Sequence, residues 1–184
     1  MVLKSKTGVM HGDLKPENVL IFEDERGNFT AKVCDFGYST LRTNDEDQII
    51  LAESWPWTAP EILIENKTTF ARAKSADIFS FGMLCIWILF VDSLETQAKA
   101  MEDLWKRETL PEHILSELKK QGQLFDYANA ETSRITGISE DRRATLNRFF
   151  ESSLSENIDK RTLGAEVIKL VFGCTEYVPL YADF

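Results

Sequence analysis

The sequence predicts a mainly α-helical domain with one small β-hairpin, built round a central hydrophobic helix. Three observations predict it. The stretch "SADIFSFGMLCIWILFV", residues 75–91, is apolar on nearly every face, and a helix apolar all round belongs at the centre of a domain. Two short apolar runs, 19–22 and 29–34, flank "EDERGN", whose Gly27-Asn28 is turn chemistry. Helical spacing of apolar residues then recurs down to residue 172. A chain of 184 residues is long enough for one domain with a real core.

Taken in order, residues 1–10 carry lysines and no apolar core segment, so no secretory signal is expected there. Next comes "MHGDLKPENVLIF", where two carboxylates, a histidine, a lysine and an asparagine crowd together before the hairpin at 19–34. Residues 35–63 are polar, irregular and rich in turn formers; a loop this long inside a compact domain is usually functional. Ser75 reads as the cap of the central helix. Further helices are expected over 94–107, 111–120, 140–153 and 163–172, with Pro111 and Ser139 as starts and Leu163, Val167, Leu170 and Val171 on one face. Residues 121–140 read as a surface connection.

Composition narrows the function. Apolar residues make up 43% and the net charge is -9, which argues for a globular protein and against nucleic acid or anionic lipid held by a general basic field. The longest apolar run, 81–91, is too short to span a bilayer, so no membrane role is expected. Three scattered cysteines, Cys34, Cys85 and Cys174, read as buried thiols of a reducing, intracellular and cytoplasmic setting.

Three motifs then agree: "HGDLKPEN" at 11–18, "DFG" at 35–37 and "APE" at 59–61. In order and spacing they resemble the C-terminal lobe of eukaryotic protein kinases, whose pattern runs H-R-D-L-x-x-x-N, D-F-G, A-P-E. The resemblance implies a catalytic loop at 11–18, the hairpin at 19–34, an activation segment at 35–61, the central helix at 75–91 and a helical remainder at 92–173. It implies Asp13 as the base that orients and deprotonates a hydroxyl, and Lys15 as the cation at the transferring phosphate. Asn18 and Asp35 match hard oxygen ligands for Mg²⁺, and a hairpin brings them together. Leu20 matches the residue beneath the adenine of ATP. Ser54 and Trp57 match the substrate loop, and the "KPEN" context is of the serine/threonine type. Structural parts fall to His11, Phe36 and Gly37, to Asp77 as the brace of the catalytic loop, and to Glu61 paired with Arg161. Taken singly, Asp13 and Asn18 also read as turn formers bonding their own backbone.

The sequence departs from the pattern in three places. Gly12 stands where the family has an arginine that grips a phosphate on the activation segment, so phosphorylation of Ser39, Thr40 or Thr43 is expected to lose its main partner. "ESWPWTAPE" replaces the usual Gly-Thr with Glu53-Ser54. No G-x-G and no V-A-I-K strand precedes His11, so the ATP site is expected as a lower half that binds nucleotide weakly, uncovered on top. Two readings stay open: a serine/threonine kinase lobe acting on a protein substrate, and a kinase-like module or gene-model fragment that binds partners without chemistry. Either has an exposed top for a partner to cover.

Overall fold

The computed structural model describes residues 9–41, 47–65, 67–106 and 108–162. The expected helix at 163–172, Arg107, Thr43 and Cys174 lie outside the described residues.

The hairpin forms as the turn chemistry requires. Strands β2 (Val19–Glu23) and β3 (Phe29–Val33) pair antiparallel, Val19 opposite Val33 and Glu23 opposite Phe29. Its tip is tied by the Asp24 carboxylate, which accepts from the Arg26 and Asn28 amides at 2.8 and 2.9 Å. At its base, Cys34 N–H donates to Asn18 C=O at 2.9 Å, so the loop before β2 and the segment after β3 leave side by side.

Two further ribbons each take one strand from the segment read as irregular. Strand β1 (Val9–Met10) pairs with β4 (Thr40–Leu41), and β5 (Gln48–Ile50) pairs with β6 (Lys67–Thr69). Each is two or three residues long with its partner far away in sequence, so no local alternation announced it.

The central helix starts earlier than its sequence suggests and, past a kink, continues into the next expected helix; the two together are α1 (Phe70–Trp105). Thr69, not Ser75, is its cap, with the side chain accepting from the Arg72 amide. Ser75 sits inside. The two helices expected at 75–91 and 94–107 meet at a kink at Phe90, whose φ of -130° is non-helical. Phe79, Met83, Ile86, Phe90 and Leu94 are all nearly or wholly buried along it. Its most apolar eighteen-residue window has a mean hydropathy of 1.8, long and apolar enough to cross a membrane by composition. Half of that window is buried inside the protein, as for the core helix the sequence predicts.

Helices α2 (Pro111–Lys120) and α4 (Glu140–Ser153) match the expected bounds. Proline at the first position of α2 costs nothing because that N–H has no partner in any helix. Ser139 caps α4 through the Arg142 amide. The expected surface connection is corrected: it contains α3 (Leu124–Arg134), which buries Leu124, Tyr127, Ala128, Glu131 and Thr132. Helices α2, α3 and α4 all pack on α1, with Phe149 and Phe150 of α4 against Phe81 and Phe90. By contrast the hairpin exposes most of its apolar side chains.

Candidate active site

The polar crowd at 11–18 becomes a hydrogen-bonded loop hung from α1. The Asp77 carboxylate accepts the backbone N–H of His11 at 2.6 Å and of Gly12 at 2.9 Å. Burial pushes the Asp77 carboxyl up and the Asp13 charge adds to this, while the two N–H groups oppose it. His11 is buried. Its Nδ1 accepts from the Asp13 amide at 3.3 Å, which leaves Nε2–H to donate to Cys34 C=O at 3.0 Å. Its ring stands edge-on to Phe36, centroids 5.2 Å apart. Phe36 is otherwise largely exposed.

The position after His11 explains the missing arginine. Gly12 has φ +81°, and a Cβ there would meet the Tyr38 carbonyl oxygen at 2.8 Å and Met10 Cε at 2.9 Å. The residues after "DFG" press their backbone into the space a side chain would need. Further ties are Ala52 N–H to Gly12 C=O at 3.2 Å and Ser39 Oγ–H to His11 C=O at 3.1 Å.

Asp13 is buried at the centre. Lys15 Nζ donates to its Oδ2 at 2.8 Å, Asn18 Nδ2 reaches the same oxygen at 3.2 Å, and Ser54 Oγ–H donates to Oδ1 at 2.5 Å. Burial alone would raise the Asp13 carboxyl, but Lys15, Ser54 and Asn18 together hold it below the usual carboxylate value. Lys15 also donates to Ser54 Oγ at 3.0 Å, so the three side chains form a closed triangle. The Lys15 ammonium is held above its ordinary value by its bond to Asp13, against burial, with the charges of Glu17 and Asp35 contributing. Asp35 thus faces the same site electrostatically. It is exposed, its backbone is left-handed at φ 61°, and one carboxylate oxygen accepts the Gly37 amide at 3.3 Å.

Asn18 spends its amide nitrogen on Asp13, donating to the backbone oxygen at 2.8 Å, and its carbonyl oxygen is the kind of hard atom a cation could use. Among the described residues no group of three His, Cys, Asp or Glu side chains could hold a metal. One carboxylate and one amide oxygen, completed by phosphates and water, is nevertheless a set that suits Mg²⁺, which is seldom caged by protein alone.

The remaining expected residues divide. Leu20 lies on β2 and is 46% exposed. Trp57, expected in the substrate loop, is 3% exposed, and its ring stands edge-on to Trp87 at 5.5 Å. Glu61 and Arg161 form a two-pronged pair at 2.5 and 2.9 Å, with the guanidinium 4.8 Å above the Phe79 ring. Sequence reasoning missed Thr58, Trp55, His113 and Lys119. Thr58 brackets Ser54: its Oγ1 accepts the Ser54 amide at 2.7 Å and its hydroxyl lies 3.1 Å from Ser54 C=O. His113 receives the Leu110 amide at 2.8 Å, and its ring lies against that of Trp55, tilted by 55°. No local pattern marks these residues, because each matters only through a contact across the fold.

Residues 3–172 match the family described as "Protein kinase domain". A stretch of 103 residues is 35% identical to serine/threonine-protein kinase kin-29 of Caenorhabditis briggsae, covering 56% of this chain and 12% of that protein. Another of 108 residues is 38% identical to calcium-dependent protein kinase 27 of Arabidopsis thaliana, covering 56% and 22%. A longer match, 171 residues at 23% identity, covers 90% of this chain and 19% of the G-type lectin S-receptor-like serine/threonine-protein kinase SD2-5 of the same plant. The chain therefore spans less than a quarter of the length of these relatives. With 170 of its residues matched, the chain belongs to the protein kinase domain family.

Proposed function

We propose that this chain is the hydroxyl-binding and metal-binding lobe of a serine/threonine protein kinase, serving transfer of the ATP γ-phosphoryl group to a protein hydroxyl. The observation that carries the reading is the triangle of Asp13, Lys15 and Ser54, with Asn18 locking Asp13 from the other side. Phosphoryl transfer asks mainly for alignment and charge neutralisation. Asp13, kept ionised by its neighbours, is placed to accept the proton of an incoming hydroxyl. Lys15 holds positive charge beside it for the transferring phosphate. Ser54 keeps a hydroxyl bonded to both, where serine/threonine kinases use one, which supports hydroxyl-type specificity. Asn18 and Asp35 would hold Mg²⁺, which would supply positive charge to neutralise the phosphates. Leu20 would lie against the adenine. Use of ATP, with Cys34 and Cys85 as free thiols, favours work inside the cell.

The test is transfer of labelled γ-phosphate from ATP to serine, threonine and tyrosine peptides by the protein as its cell expresses it. Transfer to serine or threonine is expected, falling about 10²–10⁴-fold in Asp13→Asn. Transfer unchanged in that variant would overturn the assignment.

A second reading, a kinase-like module that binds without chemistry, is favoured by one observation. Leu20, Ile21, Phe22, Phe29, Phe36 and Tyr38 are each between 46% and 69% exposed on and beside the hairpin. An apolar patch of this kind marks a surface for a partner. No transfer by the wild-type protein, together with no heat of Mg-ATP binding in calorimetry, would select this reading.

A further inference from the structure

Four contacts fasten α2 to residues 55–58. Trp55 Nε1–H donates to Ser116 Oγ at 2.9 Å, and the Trp55 ring lies 5.2 Å from His113. Lys119 Nζ donates to Pro56 C=O at 2.5 Å and to Thr58 C=O at 2.9 Å. Among the described residues Lys119 has no ion pair with a carboxylate. Its charged neighbour is Lys120, of like sign. A lysine drawn from water without an anion is costly unless its donors meet directed acceptors. Here both acceptors are backbone carbonyls of one short turn. From that turn a continuous path leads inward: Thr58 to Ser54, then Ser54 Oγ–H to Asp13.

We propose that Lys119 is a positioning residue of the hydroxyl site, holding the 54–58 turn so that Ser54 reaches Asp13 and Lys15. Its catalytic meaning rests on the kinase reading above; its structural content does not. Burial, then the Lys120 charge, bring the amine down to about 8. A neutral amine still carries two N–H groups for two carbonyls. The tie therefore outlasts loss of the charge.

The experiment is amide hydrogen exchange, read by NMR, at Ser54 and Thr58, whose N–H groups close the turn on Thr58 Oγ1 and on Ser54 C=O. Lys119→Met should speed exchange at these two amides about tenfold relative to α4 amides, and Lys119→Arg should restore it. Arg143→Met removes a comparable grip on carbonyls, those of Thr132 and Ile135, away from the turn. It should leave the ratio at wild-type level. Should Lys119→Met not fold, Lys119→Gln, one bond shorter and able to reach one carbonyl, should show the same selective change. A wild-type ratio in the folded Lys119 variant overturns the proposal. Exchange needs no phosphate transfer, so an inactive protein with selective exchange would reject the kinase reading and keep the tie.

Discussion

Gly12 shows how one residue sets the terms for its neighbours. Its left-handed backbone and missing side chain let Tyr38 approach, so the segment after "DFG" rests directly on the loop at 11–18. An alanine there would suffer both the positive φ and a contact of 2.8 Å with a backbone oxygen that cannot swing aside. Gly12→Ala should therefore lower stability by about 1–3 kcal/mol in chemical denaturation. A midpoint unchanged from wild type would show that Tyr38 yields freely. The same contact gives a reason why no arginine stands at position 12. The segment has another way to be held, through backbone bonds from Ala52 and the Ser39 hydroxyl.

Among the elements, α1 decides the packing, and at one point α4 comes against it with no room to spare. At Gly82 a Cβ would meet Ser153 Oγ at 2.7 Å, Leu154 Cδ2 at 2.9 Å and Ser153 Cβ at 3.0 Å, with Ser153 wholly buried. Gly82→Ala should cost about 1–3 kcal/mol by overpacking, despite the better helix propensity of alanine. A gain in thermal stability would mean the two helices can part. The elements also show what a sequence makes legible. The hairpin, α2 and α4 were readable because Gly27-Asn28, Pro111 and Ser139 are local signals acting on their own neighbours. Helix α3 was not, because its buried face mixes Leu124 and Tyr127 with Glu131 and Thr132, and only packing shows that it is a face. The start of α1 was missed because Ser75 resembles a cap while Thr69 earns the role through its backbone turn and its bond to Arg72. In the candidate site, Asp13, Lys15, Asn18 and Ser54 were found through motifs in which spacing stands for geometry. Lys119 and Thr58 have no such motif, and their contacts cross long stretches of chain.

On the scale of the whole molecule, two remote pieces are joined by Glu61 and Arg161. The Arg161 side chain is wholly buried, that of Glu61 is 19% exposed, and Arg161 also donates to Ser155 C=O at 2.7 Å. Removing one partner leaves the other charge in a place built for two. Arg161→Ala should cost roughly 3–5 kcal/mol, measured by urea unfolding with the slope unchanged. A melting curve that does not move would show that water takes the place of the guanidinium at no cost. Synthesis gives this pairing a further consequence. The two residues stand 100 positions apart. A ribosome adding about 5–20 residues each second delivers the arginine roughly 5–20 s after the glutamate. Throughout that interval Trp57 and Ile62 wait beside an unclamped turn, so the nascent chain offers greasy side chains to any chaperone within reach before this clamp can close.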